Sequence, residues 1–398
     1  MSIKPINLIF TGNFLYPSGM AGTKRIQNFI DYLTKYSEIH IKLLLLRQGG
    51  RKIIPAELKG THQGVAYQTI GNDLRPGFSF LFKFIKYCWE GFRFLKLNFQ
   101  VARKNVLYVY GYPNIENILF ILYAKLSGYK IIFDIVEDNS TFEYFHHQLA
   151  EIKNQSSLWL QKWIWRLANH IIVISNHLFT KFFAQNKKKC PLTLLPITIQ
   201  TEKFENQVNG FHEPVKIFYG GTFNVKDGVE NLINAFEQIA FKYPETLLYL
   251  SGMGVSARIN LIKAKIENSV CHDRIQYLGY LNDDAYYQFL KSSHILSAIR
   301  VDSQFARAGF PFKLGEYLAT GKPVLVSNIG EIPNYLSDKK NAIFVDPGSV
   351  DSIAAGIEYL IKNPVHSSEI GKSGKIVAFQ NFDVQVVGQK LYQILQSV

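Results

Sequence analysis

Apolar residues along this chain keep two alternating rhythms. Short runs rich in β-branched and aromatic residues, at 6–11, 41–46, 106–110, 130–134 and 170–174, predict strands in the first half. Runs at 215–219, 247–251, 274–277, 295–298, 323–327 and 342–345 predict them in the second. Between them, stretches such as 24–36 and 229–241 space their apolar residues three and four apart, the pattern of amphipathic helices. Strand–helix alternation of this kind predicts parallel sheets with helices on both faces. The polar stretch 205–214, with Asn209, Gly210 and Pro214, interrupts the rhythm and predicts a linker. Since 398 residues exceed one ordinary core, two doubly wound domains are expected, with a cleft between them and ligands at the carboxyl ends of the strands.

Composition changes this picture little. With 47% hydrophobic residues and no low-complexity segment, the chain reads as globular rather than disordered. No run of about 20 uncharged apolar residues predicts a transmembrane helix. The first ten residues lack the pattern of a signal peptide. Cys88, Cys190 and Cys271 are odd in number and far apart, which predicts neither a metal cluster nor a disulfide framework and fits a reducing cytoplasm.

Charge adds more. Residues 1–210 hold 26 Lys and Arg against 13 Asp and Glu, while the rest of the chain holds 18 of each. The whole net charge of +13 therefore falls in the first half, which predicts an anionic partner there. Segment 75–104 concentrates nine aromatics and seven basic residues against one acid, Glu90. A basic aromatic helix is the pattern of an interfacial membrane segment. A buried helix with snorkelling lysines is the competing explanation. Nothing else in the chain resembles a nucleic-acid module, so no nucleic acid is expected.

The segment Phe310-Pro-Phe-Lys-Leu-Gly-Glu-Tyr-Leu-Ala-Thr-Gly-Lys-Pro-Val324 is the richest in chemistry. It predicts a turn running into a short helix near 314–319 and then a buried strand. A helix N-terminus aims free N–H groups at an anion. Lys313 adds a charge for a phosphate, and Glu316 an acceptor for a ribose diol. An ordinary cap with a solvated Lys and Glu is the plain alternative. Thr11-Gly-Asn-Phe-Leu-Tyr-Pro-Ser-Gly-Met-Ala-Gly22 places Gly19 and Gly22 between a strand and a helix, where a backbone can approach a ligand closely or simply turn. It is not a dinucleotide fingerprint. Lys24 and Arg25 follow it, facing an anionic acceptor in this reading. His146 and His147 have no third ligand beside them, and no Asp-x-Asp pair is present, so no metal is expected.

Several segments in order resemble glycosyltransferase family four. They are Leu195-Pro196 through Thr201-Glu-Lys-Phe204, Tyr219-Gly-Gly-Thr-Phe-Asn-Val-Lys-Asp-Gly-Val229, Leu250-Ser-Gly-Met-Gly254, Tyr277-Leu-Gly-Tyr280, the segment around Glu316, and Asn341-Ala-Ile-Phe-Val-Asp-Pro-Gly348. The resemblance covers almost the whole chain. It implies an α/β GT-B fold of two Rossmann-like domains: an acceptor domain at 1–208, a nucleotide-sugar domain at 209–380, and a helix at 381–398 packing back toward the first. It implies a metal-independent, retaining hexosyl transfer without further cofactor, in which a nucleotide-diphosphate sugar donates to a saccharide or lipid-linked saccharide. Implied donor contacts are Gly19, Gly22, Gly221, Thr222, Lys226, Gly279, Phe310, Lys313, Leu314 and Glu316. Lys226, Lys313 and Glu316 would serve the chemistry, and Glu137 or Asp138 would orient or deprotonate the acceptor, although Asp138 equally suits a helix cap.

Two positions depart from the family. The family's first glutamate, eight positions before Glu316, is here Ala308, which bears on the donor sugar, and Thr222 stands where an Arg is usual. The form found here, Pro311-Phe-Lys313 followed by Glu316-Tyr317, resembles a branch common among bacterial surface-polysaccharide enzymes, which implies work at the inner face of the membrane in capsule, exopolysaccharide or O-antigen assembly. A sugar-nucleotide epimerase and an inactive binding partner are the alternatives.

Overall fold

The computed structural model describes residues 4–46, 57–71, 79–141, 148–186, 189–204 and 214–398. Arg75, His146, His147 and residues 205–213 of the expected linker lie outside them. The chain divides into two compact units, Met1–Pro196 with Val384–Val398, and Ile197–Asp383.

In the first unit the described strands are β1 (Ile6–Gly12), β2 (Ile39–Leu46), β3 (Lys59–His62), β4 (Val65–Ile70), β5 (Lys104–Tyr110), β6 (Lys130–Ile135), β7 (His170–Val173) and β8 (Leu192–Leu194). They form one sheet in the order β3-β4-β2-β1-β5-β6-β7-β8, parallel except for the β3–β4 hairpin. That hairpin turns through Gln63 and Gly64, both at positive φ, the geometry of a two-residue turn that follows the strand twist. The helices are α1 (Ala21–Leu33), α2 (Phe80–Leu97), α3 (Ile118–Leu126), α4 (Gln148–Gln161), α5 (Ile164–Leu167) and α6 (Asn176–Gln185). All seven residues of β1 are buried, as expected of a strand covered on both faces.

The second unit carries β9 (Val215–Thr222), β10 (Thr246–Met253), β11 (Ile275–Gly279), β12 (Ile295–Ala298), β13 (Val324–Ser327) and β14 (Ile343–Val345), all parallel in the order β11-β10-β9-β12-β13-β14. Its helices are α7 (Val229–Ala240), α8 (Ser256–Glu267), α9 (Asp283–Ser292), α10 (Gln304–Ala308), α11 (Phe312–Ala319), α12 (Val350–Lys362) and α13 (Pro364–Phe382). The last helix, α14 (Val384–Ser397), belongs to the first unit, where Val387, Leu391 and Leu395 join the core beside α1.

The unit boundary falls at Pro196/Ile197 rather than at 208/209. The reason is packing: Ile197 and Ile199 lie against Gly315 of α11, the Ile199 N–H bonds the Phe382 carbonyl at 2.8 Å, and the Thr201 hydroxyl donates to Asp383 at 3.0 Å. The return to the first unit likewise begins at Val384, because α13 runs on to Phe382.

Each sheet has a point where successive strands leave in opposite directions, between β1 and β5 in the first and between β9 and β12 in the second. The crevice at the carboxyl end of such a point is where doubly wound sheets bind ligands. The glycine-containing segments after β1 and β9 sit there.

Candidate functional site

In the second unit, β9 ends in Gly220-Gly221-Thr222 beside β10, and the two strands run so close that a Cβ at Gly252 would overlap the Gly221 carbonyl oxygen. The turn that follows is self-organised. Asp227 accepts from the Thr222 hydroxyl at 2.6 Å and the Asn224 N–H at 3.2 Å, closing a capping box. Thr222 therefore shapes the turn with its hydroxyl. Lys226 folds over Phe305, its Nζ 3.8 Å from the ring centroid.

Helix α11 brings the remaining groups to this turn. Tyr317, fully buried, anchors it: its phenol accepts from the Gly220 N–H at 2.7 Å and lies 3.1 Å from the Gly220 carbonyl, to which it donates. Lys313, one turn earlier, points its Nζ at the face of Tyr219, 3.6 Å from the ring centroid, and into the space left by the missing side chain of Gly221. The Lys313 stem is half-buried, but Nζ itself is shut off from water and has no hydrogen-bond partner among the described residues. Burial, with Arg300 and Lys226 adding to it and Asp227 opposing, pushes its pKa down to about 7. Arg300 follows β12 across the switch point, itself buried, with its Nη1 donating to the Ala306 carbonyl at 3.0 Å. The sequence reading missed Arg300; only strand order brings it to Lys313.

Glu316 is also buried, 7% exposed, and its carboxylate is held by α9: the Tyr287 hydroxyl donates to Oε1 at 3.0 Å and the Tyr286 hydroxyl to Oε2 at 3.2 Å. Gly279 closes β11 at φ +68 with open space where a side chain would stand. Phe310 and Leu314 do not join this group. Phe310 stacks on Tyr335 and packs edge-on against Phe382, and Leu314 is fully buried with its N–H bonded to the Pro311 carbonyl. Both are core residues that fix α11. Ala308 is fully buried as well.

In the first unit the loop after β1 is stapled by α1. The Thr23 hydroxyl donates to the Leu15 carbonyl and the Gln27 amide to the Pro17 carbonyl, both at 2.5 Å. Gly19 is needed there, because a Cβ would collide with the Thr23 hydroxyl. Gly22 lies over the Tyr110 phenol at the end of β5. Arg25 does not face outward. It is 1% exposed and forks onto Asp134 at 2.8 and 3.1 Å, while also donating to the Leu195 and Pro196 carbonyls. Nearly all its donors are satisfied within the protein.

Asp138 is equally committed. It is 2% exposed, accepts from Lys181 at 2.7 and 2.8 Å, and caps the turn Asn139–Thr141 through the Ser140 N–H and hydroxyl. Burial alone would raise its pKa, but the bonds from Lys181 and Ser140 outweigh burial and hold it below the usual carboxylate value. Lowering the pKa weakens a carboxylate as a base, and the bonds to Ser140 are those of the cap that Asp138 equally suited. Glu137 beside it is exposed.

Helix α2 has one buried face and one exposed face. Tyr87, Gly91 and Leu95 face inward, where Phe120 of α3 fits over the missing Gly91 side chain. On the other face Leu81, Phe82, Ile85, Trp89 and Leu97 are 56–77% exposed. Lys86, Arg93 and Lys96 are exposed beside them, and Arg93 lies 5.0 Å over Trp89. No helix among the described residues is long and apolar enough to cross a membrane, and none of their His, Cys, Asp and Glu side chains gather in threes as a metal site.

Comparison with known proteins adds an independent line. Residues 200–377 match the family model for glycosyl transferases group 1. Two uncharacterized glycosyltransferases of Methanocaldococcus jannaschii are related. One is 27% identical over 147 residues, 37% of this chain and 36% of its own length. The other is 23% identical over 318 residues, 75% of each chain. Among solved structures, sucrose-phosphate synthase from Thermosynechococcus elongatus superposes with a TM-score of 0.75 at 14% identity over 98% of both chains. Anabaena HepE in complex with UDP-glucose gives 0.73 at 16% identity over 98% of this chain and 100% of that one. The chain thus has the GT-B fold, and the matches support a glycosyltransferase.

Proposed function

We propose that this protein transfers a hexose, with retention of configuration, from a nucleotide diphosphate to a saccharide acceptor. The observation that carries the reading is the Nζ of Lys313, buried without a hydrogen-bond partner among the described residues and aimed into the space beside Gly221. A buried cation left this way is costly unless an anion completes it. A diphosphate between Lys313 and Lys226 supplies that anion, and Glu316, preset by Tyr286 and Tyr287, accepts from the ribose diol. Gly221 and Thr222 line the diphosphate, and Gly279 leaves room for the base. In the transfer, the bond from the anomeric carbon to the diphosphate oxygen breaks and a bond to the acceptor oxygen forms on the same face. The acceptor proton passes to the leaving phosphate. Lys313 and Lys226 stabilise the charge that grows on that leaving group, which is the work a metal would otherwise do.

Within the first unit, Gly19 and Gly22 leave the backbone after β1 open to close approach by a ligand, and the exposed Glu137 is the carboxylate left to orient the acceptor. The acceptor is lipid-linked, as in capsule, exopolysaccharide or O-antigen assembly. The exposed apolar and basic face of α2 supports this, since it suits attachment at the anionic inner leaflet. Titration calorimetry against UDP, GDP, ADP and their sugar conjugates tests the reading, followed by a product assay with membrane extract. One nucleotide sugar should bind and turn over only when acceptor is supplied. Binding of none of them, or equal binding by Lys313→Met, rejects it.

A further inference from the structure

The first unit holds a second apolar feature, apart from α2 and from the glycine loop. A groove of about 520 Å³ opens between α3 and the junction of α4 with α5. That is within the size of small-molecule pockets, roughly 300–1,000 Å³. Ile115, Ile118 and Leu122 form one wall, and Trp159, Leu160 and Trp163 the other. Ser156 also lines it, but its hydroxyl is engaged, accepting from the Ile115 N–H and donating to the Lys153 carbonyl. Trp159 is 60% exposed and Trp163 40%. At the rim Arg166 lies 4.3 Å over the Trp163 ring, and Lys162, which precedes Trp163 in the chain, is exposed.

We propose that this groove takes one hydrocarbon chain of a membrane amphiphile whose phosphate headgroup rests on Lys162 and Arg166; the inference builds on the membrane reading above. Two features select this occupant. The walls are apolar while the rim is cationic and aromatic, the arrangement that places rings at headgroup depth and basic groups on phosphate. Helix α3, which forms one wall, also packs on α2, with the Phe92 and Tyr123 rings 5.0 Å apart, and its Leu119 and Leu126 are exposed apolar residues as well. A second copy of the chain fits less well, because pairing through this face would bring together two halves that carry all the positive charge.

Calorimetric titration with dodecyl phosphate below its micellar concentration tests the groove, with inorganic phosphate and dodecyl maltoside as headgroup-only and uncharged controls. The intact protein should bind dodecyl phosphate at least tenfold tighter than either control. Leu122→Trp, which fills the groove, should lose at least tenfold, and Lys162→Gln with Arg166→Gln several-fold. A second measurement needs no groove variant: in Trp89→Phe, anionic vesicles carrying chain-brominated lipid should still quench the remaining tryptophans. Equal binding by Leu122→Trp, no preference over inorganic phosphate, or absence of quenching overturns the proposal. So does a dimer that Leu122→Trp dissociates. If quenching is absent while vesicle binding still depends on the basic residues of α2, the groove is rejected and the docking through α2 stands.

Discussion

The ammonium of Lys313 lies 3.6 Å from the centroid of the Tyr219 ring, and that ring is itself fixed because its hydroxyl donates to the Thr222 carbonyl at 2.7 Å. The lysine is therefore held by a π face, which attracts charge without accepting a conventional hydrogen bond, and its donors stay available. With its pKa pushed down to about 7, it is largely neutral at pH 8 in the free protein.

Binding of a diphosphate at Lys313, as proposed, should restore the proton. Calorimetry of the nucleotide sugar at pH 8, in buffers of different ionisation enthalpy, should show uptake of a sizeable fraction of one proton. Affinity should fall as pH rises above about 7. A nucleotide sugar is the right probe, because its diphosphate has no group titrating near neutrality. Binding without proton uptake would place Lys313 away from the diphosphate.

Folding carries the opposite sign. Between pH of about 7 and 10.5 the unfolded chain holds a proton that folded Lys313 has released, so this group makes stability rise with pH across that window. Lys313→Met should flatten the rise, and at pH 7 raise the melting temperature by a few degrees while destroying donor binding. A variant that loses both stability and binding would mark Lys313 as a structural residue.

Glu316→Gln should weaken donor binding ten- to a hundredfold, from the loss of charge-assisted bonds of roughly 1.5–3 kcal/mol. Tyr287→Phe leaves the carboxylate but removes one of the hydroxyls that hold it, so a smaller loss is expected, seen in KM more than in kcat. Donor affinity unchanged in Glu316→Gln would remove it from the ribose.

Arg25 and Asp134 make a different demand. Both are almost wholly buried, so Arg25→Met leaves an unpaired carboxylate and should cost about 3–5 kcal/mol in urea unfolding. Adding Asp134→Leu should recover much of that. Failure of the second change to compensate would mean that the bonds to Leu195 and Pro196, rather than the ion pair, hold the site.

What could be read in advance followed locality. Strands such as β1 and β9, buried on both faces, announce themselves as apolar runs, and the segment from Phe310 to Val324 shows turn, helix and strand in order. Strands β3 and β8 do not: Lys59–His62 is a polar edge strand registered by its turn, and Leu192–Leu194 has three residues. Arg25 and Asp134 stand 109 positions apart, so nothing local marks the pair, and Arg25 reads as a surface cation. Phe310 and Leu314 entered as ligand contacts through the family resemblance alone; the stacking of Phe310 on Tyr335 and the burial of Leu314 in α11 are tertiary and leave no local mark. The boundary at Pro196 was hidden for a similar reason: the polar run at 205–214 is visible in sequence, whereas the fit of Ile197 and Ile199 against Gly315 is tertiary.

The exposed face of α2 yields the last prediction. Leu81, Phe82, Ile85 and Trp89 stand out at 56–77% exposure along one helix, beside Lys83, Lys86, Arg93 and Lys96. Exposed rings at this density are unfavourable in water and favourable at the headgroup boundary of a bilayer. Each basic residue near an anionic surface contributes about 1 kcal/mol, decaying within a Debye length of about 8 Å at physiological salt. Flotation with vesicles should therefore show binding that requires anionic lipid and weakens as salt rises. Neutralising Lys83, Lys86, Arg93 and Lys96 together should abolish the salt-sensitive part, whereas Phe82→Ser with Trp89→Ser should weaken binding at every salt concentration. The two sets separate electrostatic attraction from insertion. Equal binding to neutral and anionic vesicles, or none to either, would leave α2 without a role at the membrane and make a protein partner the cover for its apolar face.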